Sequence, residues 1–163
     1  KTILAFYPGA FTGVCTKEMC ALRDALSEFS KFKAQVVGIS VDSPFANKGF
    51  ADVNRLSFPL LSDFNREVSR KYVGLYDDFA GVKGYTAAKR SVFVLDQKGI
   101  IRYVWVTENP GTEPDYAAIS AALAASTARP FSKPGRVIRS WFEAGSWQSR
   151  QVTGCSTFFD ASS

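Results

Sequence analysis

Cys15 and Cys20 stand five residues apart in FYPGAFTGVCTKEMC, just after a short apolar run and a Pro8-Gly9 turn. The chain of 163 residues has one further cysteine, Cys155, and no histidine. Thiol chemistry here must proceed without an imidazole base, which sets aside hydrolysis of the papain kind. Zinc explains the pair poorly, because C-x-x-x-x-C has no partner pair and no His to complete a tetrahedron. The C-x-x-C spacing of a thioredoxin-type redox motif is absent too. No metal and no cofactor is expected.

The elements around the pair say where the first thiol sits. Residues 2–6, TILAF, are apolar and bounded by the Pro8-Gly9 turn, which predicts a buried strand. From Cys15 the period changes. Cys15, Met19, Leu22, Leu26 and Phe29 recur at steps of four, three, four and three, one face of a helix with Thr12 as a cap for its first turn. Unsatisfied backbone N–H groups and the positive end of the helix dipole meet at such a turn, and both favour a thiolate. Cys15 also continues the apolar stripe. On spacing alone, a buried thiol acting as a small hydrophobe is an equal reading.

Further along, AQVVGISV (residues 34–41) reads as the next buried strand. Ser43-Pro44 offers a cap followed by proline at the first helical position. That helix should run to about Leu56 with Phe45, Phe50 and Val53 inward. Residues 58–63 form a short extended piece, and Asp63 can cap a third helix through Tyr72. SVFVLD (91–96) and IIRYVWV (100–106) are two strands joined as a hairpin by QKG. Pro114 opens a last helix before Pro130. This order predicts an α/β, thioredoxin-like fold: a central mixed sheet with helices on both faces. It fills residues 1–128. Residues 129–163 lack a sustained period, are rich in Ser, and read as a poorly ordered extension.

Composition narrows the function classes. With 46% hydrophobic and 21% charged residues the chain is ordinary for one globular domain. No apolar run approaches the ~20 residues that span a bilayer, so no membrane partner is expected. KTILAFY does not read as a signal peptide. The net charge of +5 is partly carried by residues 129–163, too sparsely to mark a nucleic-acid surface. An odd, low cysteine count fits a reducing compartment, cytoplasmic or within an organelle.

The motif around Cys15 resembles the active-site signature of the peroxiredoxins, P-x-x-x-T-x-x-C, filled by Pro8, Thr12 and Cys15, with Glu18 also in register. AAKRSVFVLDQKGIIRYVW is similar to the segment that supplies the family's active-site arginine, which makes Arg90 the counterpart. The similarity covers about residues 1–127. The family's N-terminal hairpin, with its P-x-F segment, is not found among these residues, and the tail matches nothing in the family. The resemblance implies a thiol-dependent peroxidase for hydrogen peroxide and small organic hydroperoxides. Cys15 would be the nucleophile and Thr12 would direct its hydroxyl at the peroxide. The N–H groups near Val14 and Cys15 would bind the peroxide oxygens, and Pro8 would shield the thiolate. Arg90 would stabilise the thiolate and the transition state, and Glu18 would help to position Arg90.

Cys20 matches the resolving cysteine of the peroxiredoxin Q, or bacterioferritin comigratory, group. The resemblance thus implies an intramolecular Cys15–Cys20 disulfide, reduced again by thioredoxin or a similar dithiol. A one-cysteine peroxidase resolved by an external thiol is the alternative. A disulfide oxidoreductase and a non-catalytic thioredoxin-fold binding or chaperone module are the rivals from other classes. The protein is expected as a monomer or a homodimer. Five residues of helix separate the two Cα atoms by roughly 8–9 Å, beyond the ~7 Å that a disulfide tolerates. The helix must therefore unwind locally before the bond closes.

Overall fold

The computed structural model describes residues 1–126. Residues 127–163, with Cys155 and the expected extension, lie outside the described residues. Strand β1 (Thr2–Phe6) runs parallel to β2 (Gln35–Ser40), which is parallel to β3 (Leu60–Ser62). On its other side β1 pairs antiparallel with β6 (Ser91–Leu95), and β6 with β7 (Ile101–Val106). The sheet order is β3-β2-β1-β6-β7, mixed as expected. A separate two-stranded ribbon joins β4 (Leu75–Tyr76) to β5 (Ala87–Ala88).

Alternation along β1 feeds two cores. Ile3, Ala5 and Tyr7 pack with Met19 and Leu22 of helix α1 (Gly13–Asp24), Phe29 of α2 (Leu26–Lys31) and Ile119 and Leu123 of α5 (Tyr116–Ala125). Leu4 and Phe6 point the other way, toward Val73, Tyr76 and Phe79, with Val68 of α4 (Glu67–Tyr72) at the edge. Helices therefore lie on both faces in a thioredoxin-like fold. Gly38 on β2 leaves the space that Leu60 of β3 and, less tightly, Met19 of α1 occupy. A Cβ there would sit 2.5 Å from Leu60 Cδ2 and 3.4 Å from Met19 Sδ.

Some expected elements changed in detail. The stripe from Cys15 to Phe29 is two helices, divided at Ala25, and no Gly or Pro marks the break. Helix α3 (Pro44–Asn54) has Ser43 as its cap, its Oγ accepting from Ala46 N at 3.2 Å. The inward side of α3 differs from the expectation. Phe50 is buried, but Phe45 is 79% and Val53 70% exposed. Asn47 takes the buried position instead, because it accepts from Tyr7 Oη (2.7 Å) and Ser40 Oγ (3.0 Å) and donates to the Leu61 carbonyl (3.2 Å). Asp63 does reach its helix: its carboxylate accepts from Val68 N and Ser69 N, at 3.2 and 2.6 Å. The last helix begins at Tyr116 rather than Pro114. Asp115 caps it, accepting from Ala117 N and Ala118 N.

Candidate active site

The loop from Pro8 to Thr12 carries the chain from the end of β1 into α1. Pro8 is buried in it. Asp42 Oδ2 pins it by accepting from Ala10 N at 2.8 Å. Phe11 turns through the left-handed region at φ 62°, which is uncommon for a bulky side chain. Its ring meets Phe50 edge-on at 5.3 Å, yet it stays 58% exposed. That turn brings Thr12 back over the loop, where its hydroxyl donates to the Gly9 carbonyl at 2.9 Å. Thr12 occupies the N-cap position, but its side chain makes no cap hydrogen bond, contrary to the expectation of a capping hydroxyl. The N–H groups of Val14 and Cys15 belong to the first turn, whose amides have no intrahelical acceptor.

Cys15 is fully buried, a free thiol beneath this loop. Arg90, immediately before β6, reaches it from the sheet: Nη2 donates to Cys15 Sγ at 3.3 Å. The same guanidinium donates through Nη1 to Glu18 Oε2, one turn further along α1. Arg90 is 1% exposed and Glu18 0%. Separations of 75 and 72 residues along the chain are closed at this one guanidinium. Of the residues predicted from the motif, Thr12, Val14, Cys15 and Glu18 thus lie at the start of one helix, and Arg90 reaches Cys15 and Glu18 there.

A further group has no signal in the sequence. The Pro110 carbonyl accepts from both Nε (3.0 Å) and Nη2 (2.7 Å) of Arg90. Pro110 lies in the turn after β7, and a backbone acceptor leaves no residue-type signature that a motif could carry. Glu113, three residues on, accepts from Lys17 Nζ at 2.6 Å and from Tyr116 Oη at 3.0 Å. This ties the same segment to the outer face of α1.

The electrostatics follow from burial. Removal from water works against the charge on Arg90, but Glu18 and Cys15 outweigh it and hold its pKa above the ordinary value. For Glu18 burial prevails: its carboxyl is pushed up to about 7, with Arg90 pulling the other way. Glu18 Oε1 has no hydrogen-bond partner among the described residues, which accords with a carboxylate held at a cost.

Residues 1–104 match the AhpC/TSA family. The chain belongs to this family of peroxiredoxins. It is 41% identical over 130 residues to alkyl hydroperoxide reductase E of Mycobacterium tuberculosis, a match that covers 78% of this chain and 80% of that one. It is 42% identical over 103 residues to chloroplastic peroxiredoxin Q of Triticum aestivum, covering 63% and 45%. Among solved structures it superposes on peroxidoxin BcpB of M. tuberculosis with a TM-score of 0.61 at 34% identity, covering 80% of each chain. The expected family and fold are borne out, and the peroxiredoxin is a peroxidase that works through a thiol. Among the described residues no helix is long and apolar enough to cross a membrane.

Cys20, the second thiol, sits apart from this cluster. It is half-buried on α1, and its sulfur lies 3.9 Å from Asn54 Oδ1 at the end of α3. Arg23, one turn on, donates to the Asn54 carbonyl at 2.6 Å. Both thiols are free, and α1 is continuous between them.

Proposed function

We propose that this peroxiredoxin reduces hydrogen peroxide and small organic hydroperoxides through Cys15, resolves the product with Cys20, and is recycled by thioredoxin or a similar dithiol. The observation that carries the reading is the buried Arg90 fork, which donates to the Cys15 sulfur at 3.3 Å. The Cys15 thiolate attacks one peroxide oxygen in line with the O–O bond. That bond breaks, the sulfur is oxidised to a sulfenic acid, and the other oxygen leaves with the electron pair as water or alcohol once protonated. Arg90 and the Val14 and Cys15 amides face the charge that develops on the oxygens. With its hydroxyl donating a hydrogen bond to the Gly9 carbonyl, Thr12 offers its oxygen lone pairs to a peroxide O–H. Pro8 holds the loop over the sulfur.

Cys20 then displaces hydroxide from the sulfenic sulfur, which leaves as water, and an S–S bond forms. An external dithiol returns both thiols and is itself oxidised. The match of Cys20 to the peroxiredoxin Q group supports this step. The continuous helix between the thiols favours a second reading, in which Cys20 stays at Asn54 and an external thiol resolves Cys15. A thioredoxin-coupled peroxidase assay on wild type, Cys15→Ser and Cys20→Ser separates them. Cys15→Ser should abolish peroxide consumption. Cys20→Ser should keep the first oxidation and lose turnover, and full turnover of Cys20→Ser with thioredoxin would make the one-cysteine reading correct.

A further inference from the structure

We propose that Asn109, distant from the thiol in sequence and exposed to solvent, is a positioning residue for peroxide reduction, acting on Arg90 through the Pro110 carbonyl. The inference rests on the assignment of Arg90 to the Cys15 sulfur. A guanidinium is a flat fork, and one anchored edge leaves its plane free to swing. Glu18 holds Nη1. The Pro110 carbonyl holds the opposite edge through Nε and Nη2, at 3.0 and 2.7 Å. With both edges fixed, the remaining N–H of Nη2 is aimed at the sulfur, 3.3 Å away. A neutral carbonyl does this without adding a second anion to compete with the thiolate.

The turn that presents this carbonyl is built by side chains. Asn109 Oδ1 accepts from Gly111 N at 2.9 Å, an Asx turn across Pro110. The Asn109 backbone N–H donates to Thr107 Oγ1 at 3.1 Å, and Thr112 N donates to the Asn109 backbone carbonyl at 3.1 Å. The turn is also referenced to Arg90 itself. Thr107 N donates to the Arg90 carbonyl at 3.1 Å. Tyr76 Oη donates to the Thr107 carbonyl at 2.6 Å and accepts from Arg90 N at 3.3 Å. One network therefore fixes the backbone of Arg90, the turn at 107–112 and the acceptor for the Arg90 head group.

The test is the second-order rate of Cys15 oxidation by hydrogen peroxide on the full chain, for Asn109→Ala, Asn109→Asp, Arg90→Lys and Asn109→Ala/Arg90→Lys. Asn109→Ala should slow oxidation about three- to tenfold, the scale of one hydrogen bond. Asn109→Asp retains the Oδ acceptor and should recover most of that loss. In the Arg90→Lys background Asn109→Ala should add nothing, because the fork it aims is gone, whereas a merely structural turn would slow both backgrounds equally. If Arg90→Lys slows the reaction and Asn109→Ala does not, this inference is wrong and the Arg90 assignment stands. If Arg90→Lys leaves the rate unchanged, the assignment beneath both is wrong. Should Asn109→Ala fail to fold, Thr107→Val removes the acceptor of the Asn109 backbone N–H and is read in the same way.

Discussion

Replacing Arg90 by lysine puts a number on the electrostatics of the site. Arg90 donates four hydrogen bonds at once: to Glu18, to Cys15 and two to Pro110. A lysine ammonium keeps the charge but has one donor centre, so it can follow Glu18 and cannot also reach the sulfur and the carbonyl. The reaction is then deprived of the charged donor on Cys15 Sγ. Hydrogen bonds to charged groups contribute roughly 1.5–3 kcal/mol. At about 1.4 kcal/mol per factor of ten, that is a slowing of roughly 10- to 150-fold. The fold should survive, because Glu18 keeps a cation. Arg90→Met would instead remove the cation that pulls the Glu18 carboxyl down and leave burial to keep it protonated. The assay mixes reduced protein with hydrogen peroxide, quenches with an alkylating reagent and reads the state of Cys15 by mass. A folded Arg90→Lys protein that reacts within threefold of wild type would show that the guanidinium does not drive the chemistry.

Three further outcomes are expected. The Glu18 carboxyl holds its proton more tightly when folded, at about 7, than at its ordinary 4.5. Its contribution to stability is therefore full below about 4.5 and is lost as pH rises through about 7. Glu18→Gln should flatten that part of the profile in denaturant titrations at pH 5 and pH 8, and an unchanged profile would mean that burial does not hold this proton. Oxidation with one equivalent of peroxide should remove amide-exchange protection from residues 16–20 as the Cys15–Cys20 bond closes, and full protection in a protein whose disulfide is confirmed by mass would rule out local unwinding. Asp63→Ala removes the acceptor of two helix N–H groups and should cost about 1–2 kcal/mol. Thermal unfolding reads that loss, and a change under about 0.3 kcal/mol would mean that water replaces the carboxylate without penalty.

The part of the site that follows from side-chain type and spacing was legible in the sequence. Cys15 and Glu18 share one turn, so a helical period places them together before any coordinates. Arg90 could be matched through its strand, though nothing in the residues around it gives its 3.3 Å approach to the sulfur. The unread part depends on backbone. Pro110 acts through its carbonyl, which every residue possesses. Thr12 sits at the expected cap position, but the left-handed turn at Phe11 sends its hydroxyl to Gly9 instead. Phe45 and Val53 show the limit of hydrophobic pattern: α3 spends its inward position on Asn47, because Tyr7, Ser40 and the Leu61 carbonyl need a partner there. The sheet order was legible as a class, since its apolar strands and hairpin turn are local signals.

The Arg90 fork draws together residues 15–18, residue 90 and residue 110, segments that meet only when the central strands β1 and β6 have paired. Pairings of such long sequence separation form late, after their loop-closure entropy has been met. A nascent or partly unfolded chain therefore carries Cys15 without its cation. On the proposed reading of Cys15, rapid reaction with peroxide becomes a property of the finished tertiary structure, and the reactivity of one sulfur would serve as a chemical clock for the completion of folding.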